Sequence, residues 1–285
     1  MVLDTSKVGT ATAPRVNSWT SKDALLYALG VGCGAQDPLQ DLSFTTENST
    51  GIPQQVLPTF ATVMATGEAK SEHPLAVLGE VGRAAILHGS QKIVLRRDIP
   101  ADGTCRSEGR LSAIWDKGKH ASVEFTSVIV DDETGEPYAD VESSMIILGA
   151  GGFGGESGPK SAWTIPDRTP DELVSYATRT DQGLLYRLSG DRNPLHSDPT
   201  FARRAGRDKP ILHGLCTYGF AGRALLAAIA ENDTSRFGEF SARFAAPVLP
   251  GDTLDTYIWR TDDGAVFQTR VDDTVVLDHG VFRLR

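Results

Sequence analysis

The sequence of 285 residues has few cysteines, a deficit of basic charge and no long apolar run. Its three cysteines, Cys33, Cys105 and Cys216, are far apart and odd in number, which fits neither a disulfide framework nor a cysteine-based zinc site. The 37 acidic residues outnumber the 28 lysines and arginines, so a broad nucleic-acid-binding surface is not expected. No apolar stretch approaches the roughly 20 residues that a transmembrane helix needs.

The sequence also lacks clear targeting signals. The N-terminal region lacks the basic and then apolar layout of a secretory signal. The C-terminal residues, Phe282-Arg283-Leu284-Arg285, are not a clear peroxisomal address. Together with the scarce cysteines, these features predict a cytoplasmic protein. The hydrophobic fraction of 40% and the charged fraction of 23% are typical of a globular chain and exclude a disordered or fibrous one.

Glycine and proline, by contrast, are concentrated in the middle of the chain. Six glycines lie between Gly149 and Gly158, and Pro159, Pro166 and Pro170 follow. Such a segment loses much conformational entropy when it forms regular structure, so it predicts a linker. The predicted organisation is a first domain over residues 1–150, a linker over 151–170 and a second domain over 171–285.

The same segment contains a G-x-G-x-x-G pattern after an apolar strand, in Gly149-Ala150-Gly151-Gly152-Phe153-Gly154. In a dinucleotide-binding site a helix begins inside this pattern, and the pyrophosphate lies at its N-terminus. Here further glycines and prolines follow, with no helical period. We therefore interpret the pattern as part of the linker.

Three short motifs occur in both halves of the chain in the same order. Leu25-Leu26-Tyr27 matches Leu184-Leu185-Tyr186, Leu87-His88-Gly89 matches Leu212-His213-Gly214, and Pro100-Ala101-Asp102 matches Pro250-Gly251-Asp252. The order of these matches predicts two copies of one fold.

Each copy is predicted to contain a short helix after a threonine cap, Thr20 or Thr178. The second copy adds a longer helix from near Gly214 to about Glu231. β-rich runs bounded by turn residues predict strands at 111–115, 122–130, 138–148, 256–260, 265–271 and 274–277. A central helix followed by an antiparallel meander indicates an α+β fold. Over residues 61–85 of the first copy the helical pattern is broken.

The residues most informative about chemistry lie in one turn-rich loop after Tyr186. Asp191 and His196 are five residues apart, and Pro194 restricts the backbone between them. A carboxylate and an imidazole held toward one point can bind a water molecule and deprotonate it as it attacks. The alternative is that Asp191 only caps a turn and that His196 is a surface residue.

Gly214 is the second candidate. At the predicted start of the long helix, its N–H lies at the positive end of the helix dipole and can bind the oxygen of a carbonyl that is becoming an enolate. The alternative is a glycine that only permits close contact between the helix and a sheet.

The run Gly190-Asp191-x-Asn193-Pro194-Leu195-His196 resembles the signature of the MaoC-like, (R)-specific enoyl-CoA hydratases, also called hydratase 2. Other segments resemble the two-domain members of that family: Gln54-Gln55-Val56-Leu57-Pro58-Thr59-Phe60, Leu87-His88-Gly89, Asp116-Lys117-Gly118, Gly151-Gly152-Phe153-Gly154-Gly155 and His213-Gly214-Leu215-Cys216-Thr217. The resemblance covers nearly the whole chain. It implies a double hot-dog fold, in which two tandem repeats each wrap an antiparallel sheet around a central helix.

The resemblance also implies an activity, the reversible hydration of trans-2-enoyl-CoA to (3R)-3-hydroxyacyl-CoA without a metal or other cofactor. Asp191 and His196 would activate the water that adds to C3, and the Gly214 N–H would hold the thioester oxygen. The substrate-binding residues that it implies are His88, Gly89, Lys117, Arg192, Asn193, Pro194, Leu195 and Phe244.

The first copy has no Asp and His in the corresponding places after Leu29, so the resemblance implies a non-catalytic first domain that binds the acyl chain and CoA. Its broken helical pattern would let the acyl chain enter, although a mobile surface insertion would look the same. Two other functions stay open: a hot-dog thioesterase that attacks C1, and a non-catalytic acyl-CoA binding protein. By resemblance the chain is also expected to form a homodimer.

Overall fold

The computed structural model describes residues 3–65, 78 and 85–285. The strands in this part of the chain are β1 (Arg15–Trp19), β2 (Ile86–Leu95), β3 (Gly103–Asp116), β4 (Ala121–Asp131), β5 (Pro137–Ile147), β6 (Glu172–Ala177), β7 (Phe237–Phe244), β8 (Thr253–Thr261), β9 (Gly264–Val271) and β10 (Thr274–Leu284). The α-helices are α1 (Ser21–Gly30), α2 (Leu42–Thr45), α3 (Gln182–Tyr186), α4 (Pro199–Arg204) and α5 (Gly214–Ala230). Short 3₁₀ helices at Pro58–Thr62 and Pro194–His196 contribute to the site described below.

The strands form one antiparallel sheet in the order β1-β3-β4-β5-β2-β7-β10-β9-β8-β6. Counted from its own first strand, each half has the same order, first, third, fourth, fifth and second, and the two second strands meet in the middle. There β2 pairs with β7, with Gln91 opposite Ala242. This repeated order confirms the two copies that the sequence motifs predict.

Helix α5 is the centre of the molecule, and its bounds confirm the predicted long helix. It ends at Glu231, which adopts a left-handed conformation with φ of 58°. Two glycines let the first half approach the helix closely. A Cβ at position 219 would lie 2.4 Å from Val31, and one at position 222 would lie 2.5 Å from Thr59. No described helix combines the length and the apolar character that a membrane span requires.

One predicted helix cap is confirmed and the other is wrong. The N–H and the hydroxyl of Thr20 both donate to the Asp23 carboxylate at the start of α1. The Thr178 hydroxyl instead donates to the Asp252 carbonyl at 2.8 Å, and α3 begins only at Gln182. Thr178 directly follows a strand, and its hydroxyl donates to the backbone of a neighbouring turn instead of capping a helix.

The glycine-rich segment folds back onto the first half of the sheet. The N–H groups of Gly152 and Gly154 donate to the Asp116 carboxylate, each at 2.8 Å. No helix begins within the G-x-G-x-x-G pattern, as a dinucleotide-binding site would require. Of the region with the broken helical pattern, residues 66–77 and 79–84 lie outside the described residues.

The two halves share one hydrophobic core. It contains Trp19, Tyr27 and Phe60 from the first half together with Phe220 and Phe240 from the second. The loop of the first half that corresponds to the Asp191 loop is part of this packing. Gly32 in that loop has φ of +83°, and a Cβ there would lie 2.4 Å from the Phe220 ring.

A second, smaller cluster lies on the first half of the sheet and is centred on the buried side chains of Leu111, Val123 and Ile147.

Candidate active site

The loop after α3 is held by its own short-range hydrogen bonds. The Asn193 side chain accepts from the Leu195 N–H at 3.1 Å, and the Asn193 N–H donates to the Asp191 carboxylate at 3.0 Å. Pro194 is the first residue of the 3₁₀ helix that ends at His196. Asp191 therefore does cap a turn, as the alternative interpretation states, but this bond uses one carboxylate oxygen and the side chain stays exposed.

His196 has a defined tautomer. Its Nδ1 lies 2.9 Å from the Ile211 carbonyl, which can only accept, so Nδ1 carries the proton in the neutral ring. Nε2 is then free to accept a proton. Burial lowers the pKa of His196 below its ordinary value of 6.5, although the bond to Ile211 and the Asp191 charge oppose the shift. The ring is therefore neutral at pH 7 and able to act as a base.

His213 is a residue of this site that the sequence reasoning missed. Its ring stacks on His196 with centroids 3.8 Å apart, and its Nε2 donates to the Asp191 backbone carbonyl at 3.2 Å. Burial, and after it the neighbouring His196, lower the pKa of His213 to about 4. The Leu212-His213-Gly214 motif contains the residue, but its stacking under His196 depends on the tertiary fold.

Asp191, His196 and His213 form a compact donor set. Their side-chain ligand atoms all lie within 4.8 Å of one another, a spacing at which two imidazoles and a carboxylate could hold a metal ion. One nitrogen of each ring is already bound to a backbone carbonyl, which leaves His196 Nε2, His213 Nδ1 and the carboxylate for a ligand. That the reaction needs no metal stays a prediction.

Gly214 begins α5 directly after His213, so its N–H has no acceptor within the helix. A Cβ at this position would lie 3.2 Å from the Phe244 ring. The glycine therefore keeps the space between the helix N-terminus and Phe244 open. Both interpretations of Gly214, the free N–H and the close packing, fit this position.

His88 of the first half also lies at this site, next to Phe244. Its ring lies 4.6 Å from the Phe244 ring, and its Nε2 donates to the Ser90 carbonyl at 3.1 Å. Burial lowers the pKa of His88 to about 4, and the Asp191 charge is close enough to oppose that shift. The neighbouring Gly89 has a packing role, because a Cβ there would lie 2.7 Å from the Ser144 hydroxyl.

The remaining predicted substrate-binding residues have different environments. Lys117 lies in the turn between β3 and β4, where its Nζ donates to the Ser157 carbonyl of the glycine- and proline-rich segment. Arg192 is exposed beside Asp191, and Leu195 is half-buried in the loop. The roles of these residues in binding a substrate stay predictions.

The arrangement combines three chemical functions at one place. Asp191 and His196 supply two bases, and α5 supplies an amide at its positive end. Phe244 and His88 add an aromatic wall between the two halves. Such a set can deprotonate a water molecule and stabilise a developing oxyanion.

Comparisons with known proteins cover both halves. Residues 161–280 match the model of the MaoC like domain, and residues 17–149 match the model of the MFE-2 hydratase 2 N-terminal domain. The chain is 47% identical to 3-hydroxyacyl-thioester dehydratase Y of Mycobacterium tuberculosis over 98% of each protein.

Solved structures agree with this result. The crystal structure of a MaoC-like dehydratase from Phytophthora capsici has a TM-score of 0.87 and 30% identity over 99% of this chain and 98% of that one. A Mycobacterium tuberculosis protein described as having a double hotdog fold has a TM-score of 0.55 and 15% identity, over 96% of this chain and 95% of that one. The predicted double hot-dog fold is confirmed.

Proposed function

This chain belongs to the family of MaoC-like dehydratases with an N-terminal hydratase 2 domain, and we propose that it is a hydro-lyase that hydrates trans-2-enoyl-CoA reversibly to (3R)-3-hydroxyacyl-CoA. The observation that carries this proposal is the cluster of Asp191 and His196 close to the first amide of α5. A water-activating pair and an oxyanion donor are the two functions that the reaction requires.

In the hydration direction, water binds between the Asp191 carboxylate and His196 Nε2. One of these groups accepts a proton as the water oxygen adds to C3, and the negative charge moves to the thioester oxygen. The Gly214 N–H donates to that oxygen, which contributes about 10²–10³ in rate for such donors. The proton then adds to C2, and the pair returns to its starting state. Dehydration follows the same steps in reverse.

The same proposal assigns different roles to the two halves of the chain. The second half supplies the reacting groups, and the first half, residues 1–150 with His88 among them, supplies the binding surface for the acyl chain and CoA. The proximity of His88 to Phe244 supports these separate roles, because a substrate bound at Asp191 and His196 then contacts both halves. Lys117 would bind a CoA phosphate through its ammonium group.

We also propose a cytoplasmic location and a homodimer. The three cysteines are buried as free thiols, which agrees with a reducing compartment. The two edges of the sheet, β1 and β6, expose apolar side chains, with Val16 57% and Leu173 53% accessible. Exposed edge strands of this kind favour pairing with a second copy.

The test of the function replaces the two bases one at a time. Asp191→Asn and His196→Gln keep the size of each side chain but remove its ability to accept a proton. We expect each variant to lose about 10²–10⁴-fold in kcat, the usual contribution of acid–base catalysis. The rate is measured as the loss of the conjugated absorbance of crotonyl-CoA, and chiral chromatography identifies the product.

Asp198→Asn is the matched control, because Asp198 caps α4 from the same loop. A folded Asp191 or His196 variant that keeps most of its hydration rate would contradict the mechanism. Release of free CoA thiol from a saturated acyl-CoA would instead identify a thioesterase. Binding of crotonyl-CoA with no loss of absorbance would identify a binding protein.

A further inference from the structure

His213 is buried between the two bases and the start of α5, and it is only 1% exposed. One face of its ring stacks on His196, with centroids 3.8 Å apart and planes 26° from parallel. Its Nε2 donates to the Asp191 backbone carbonyl at 3.2 Å. The next residue, Gly214, begins α5. His213 therefore contacts both bases and is bonded to the residue that supplies the amide.

The hydrogen bonding of this ring is not explained by packing. A backbone carbonyl can only accept, so Nε2 of His213 carries the proton and Nδ1 does not. Nδ1 is buried and has no hydrogen-bond partner in the part of the chain that the structure describes. An unsatisfied buried acceptor is unfavourable, and a phenylalanine would fill the same space without one. The feature that requires a histidine here is the bond to Asp191.

The loop that contains the two bases is tied to the rest of the molecule at one short segment. Within residues 3–65, 78 and 85–285, the hydrogen bonds that join residues 190–197 to distant parts of the chain go to the Ile211 carbonyl and the His213 ring. The remaining bonds of the loop span four residues or fewer. The segment from Ile211 to Gly214 therefore orients both bases and also supplies the amide.

The first copy has the corresponding histidine but uses it differently. His88 occupies the same place in the Leu-His-Gly motif as His213. The Nε2 of His88 donates to the Ser90 carbonyl, only two residues away. The long-range bond thus occurs in the copy that contains Asp191 and His196, which connects it with those bases and not with the shared fold.

We propose that His213 is a positioning residue, whose bond to the Asp191 carbonyl directs the Asp191 carboxylate toward the water shared with His196. This inference rests on the proposed hydratase function and deepens it. In this role His213 exchanges no proton with the substrate. A displacement of about 1 Å in a reacting group can lower a rate by about 10²-fold, so the loss of one such bond has a measurable effect on kcat.

Two substitutions separate the hydrogen bond from the ring. His213→Phe keeps an aromatic ring against His196 and removes the donor, whereas His213→Gln keeps a donor and removes the ring. With crotonyl-CoA, we expect kcat of His213→Phe to fall at least about tenfold and KM to change less than about threefold. We expect His213→Gln to keep kcat within about threefold of the unaltered chain, because the donor is retained.

Three further measurements distinguish positioning from structural support. His213→Phe removes the unsatisfied Nδ1, so its Tm is expected to equal or exceed that of the unaltered chain. Butyryl-CoA is saturated and cannot be hydrated, and its Kd is expected to stay unchanged. Nitrogen NMR of His196 is expected to show a protonated Nδ1 in each variant, since the Ile211 carbonyl remains its partner.

The effect is expected to depend on Asp191. In an Asp191→Asn background, His213→Phe should lower kcat by less than about threefold more, as for residues that act as one unit. His120→Phe is the matched control. The Gly149 N–H donates to Nδ1 of His120 at 3.0 Å, so this variant also loses a bond between a histidine and a distant backbone group, but kcat should not change.

The outcomes separate this inference from the proposed function. A folded His213→Phe variant with unchanged kcat overturns the inference and leaves the hydratase function intact. An equal loss in His213→Gln, or an undiminished loss in the Asp191→Asn background, also overturns it, because the bond to Asp191 would then not be the cause. Absence of hydration by the unaltered chain refutes the proposed function itself. If His213→Phe does not fold, His213→Leu replaces it with the same expected loss.

Discussion

The protonation state of one side chain, His196, is set by two nearby backbone and packing features. The Ile211 carbonyl fixes the proton on Nδ1, and burial disfavours a second proton. His213 stacks against the same ring and is itself held neutral by burial. A neutral imidazole with a free Nε2 is what a general base at pH 7 requires.

This state predicts the pH dependence of the reaction. Because the pKa of His196 is lowered below 6.5 in the folded protein, the ring stays unprotonated as the pH falls past 6.5. We therefore expect kcat/KM for crotonyl-CoA to decline on the acid side with a midpoint below pH 6.5. A profile from pH 5 to 8 measures it, and a midpoint at or above 6.5 would show that this ring is not the base.

The fold must be monitored in the same experiment. Burial lowers the pKa values of His88 and His213 to about 4, so these rings bind protons more readily when the chain is unfolded. Stability from this source is complete above pH 6.5 and is lost as the pH falls toward 4. Circular dichroism at each pH separates loss of the fold from loss of the base.

At this scale the sequence predicts local groupings better than tertiary ones. Asp191 and His196 share one loop with Pro194, so their proximity follows from short-range turn chemistry. His213 joins them from the start of another element, through contacts that only the folded chain brings about. The error at Thr178 has the same origin, because its hydroxyl binds a turn 74 residues away.

At the scale of elements, α5 is tied to the first half by a buried ion pair. Arg223 on this helix is 8% exposed, and it donates to the Asp41 carboxylate and to the Val31 carbonyl, each at 3.0 Å. Its guanidinium also lies 4.4 Å from the centroid of the Tyr176 ring. These contacts fix the loop of one half against the helix of the other.

Removal of Asp41 leaves a buried, unpaired guanidinium. We expect Asp41→Ala to lower the free energy of unfolding by about 3 kcal/mol, in the range for a broken buried pair. Urea denaturation followed by circular dichroism measures the change. Asp140→Ala is the control, since the exposed pair of Asp140 with Arg96 is expected to contribute less than about 1 kcal/mol. Equal effects of the two variants would contradict the structural role of Arg223.

Six of the ten described strands were predicted from the sequence, and β1, β2, β6 and β7 were not. The strands of both meanders and the bounds of α5 follow from β-rich runs, turn residues and small side chains that are visible locally. The pairing of β2 with β7 was not predictable from the sequence, because it joins residues about 150 positions apart and depends on how the two copies meet. The predicted linker role of residues 151–170 and the residue boundaries of the domains stay predictions.

At the scale of the whole molecule, the two halves behave as one body because they share a core and a sheet. Trp19 and Tyr27 of the first half and Phe240 of the second belong to the same buried cluster. The first half also covers the side of α5 that the second half's own sheet leaves open, as the contacts of Gly219 and Gly222 show.

This sharing predicts that the second half is not stable alone. Residues 171–285 expressed as a separate chain would expose the apolar face of α5 and the edge of β7, so we expect aggregation or a molten state without crotonyl-CoA hydration. Circular dichroism, gel filtration and the absorbance assay measure this. Co-expression with residues 1–170 is the control. A monomeric fragment with a cooperative unfolding transition would refute the prediction.

The packing of Gly32 against Phe220 has a consequence for the number of catalytic sites in the chain. By the internal symmetry, this loop of the first half corresponds to the loop that contains Asp191 and His196, and the Phe220 ring fills the space that a side chain at position 32 would need. Under the proposed function, one polypeptide therefore has one catalytic site. A side chain introduced at position 32 could not create a second site unless Phe220 moved.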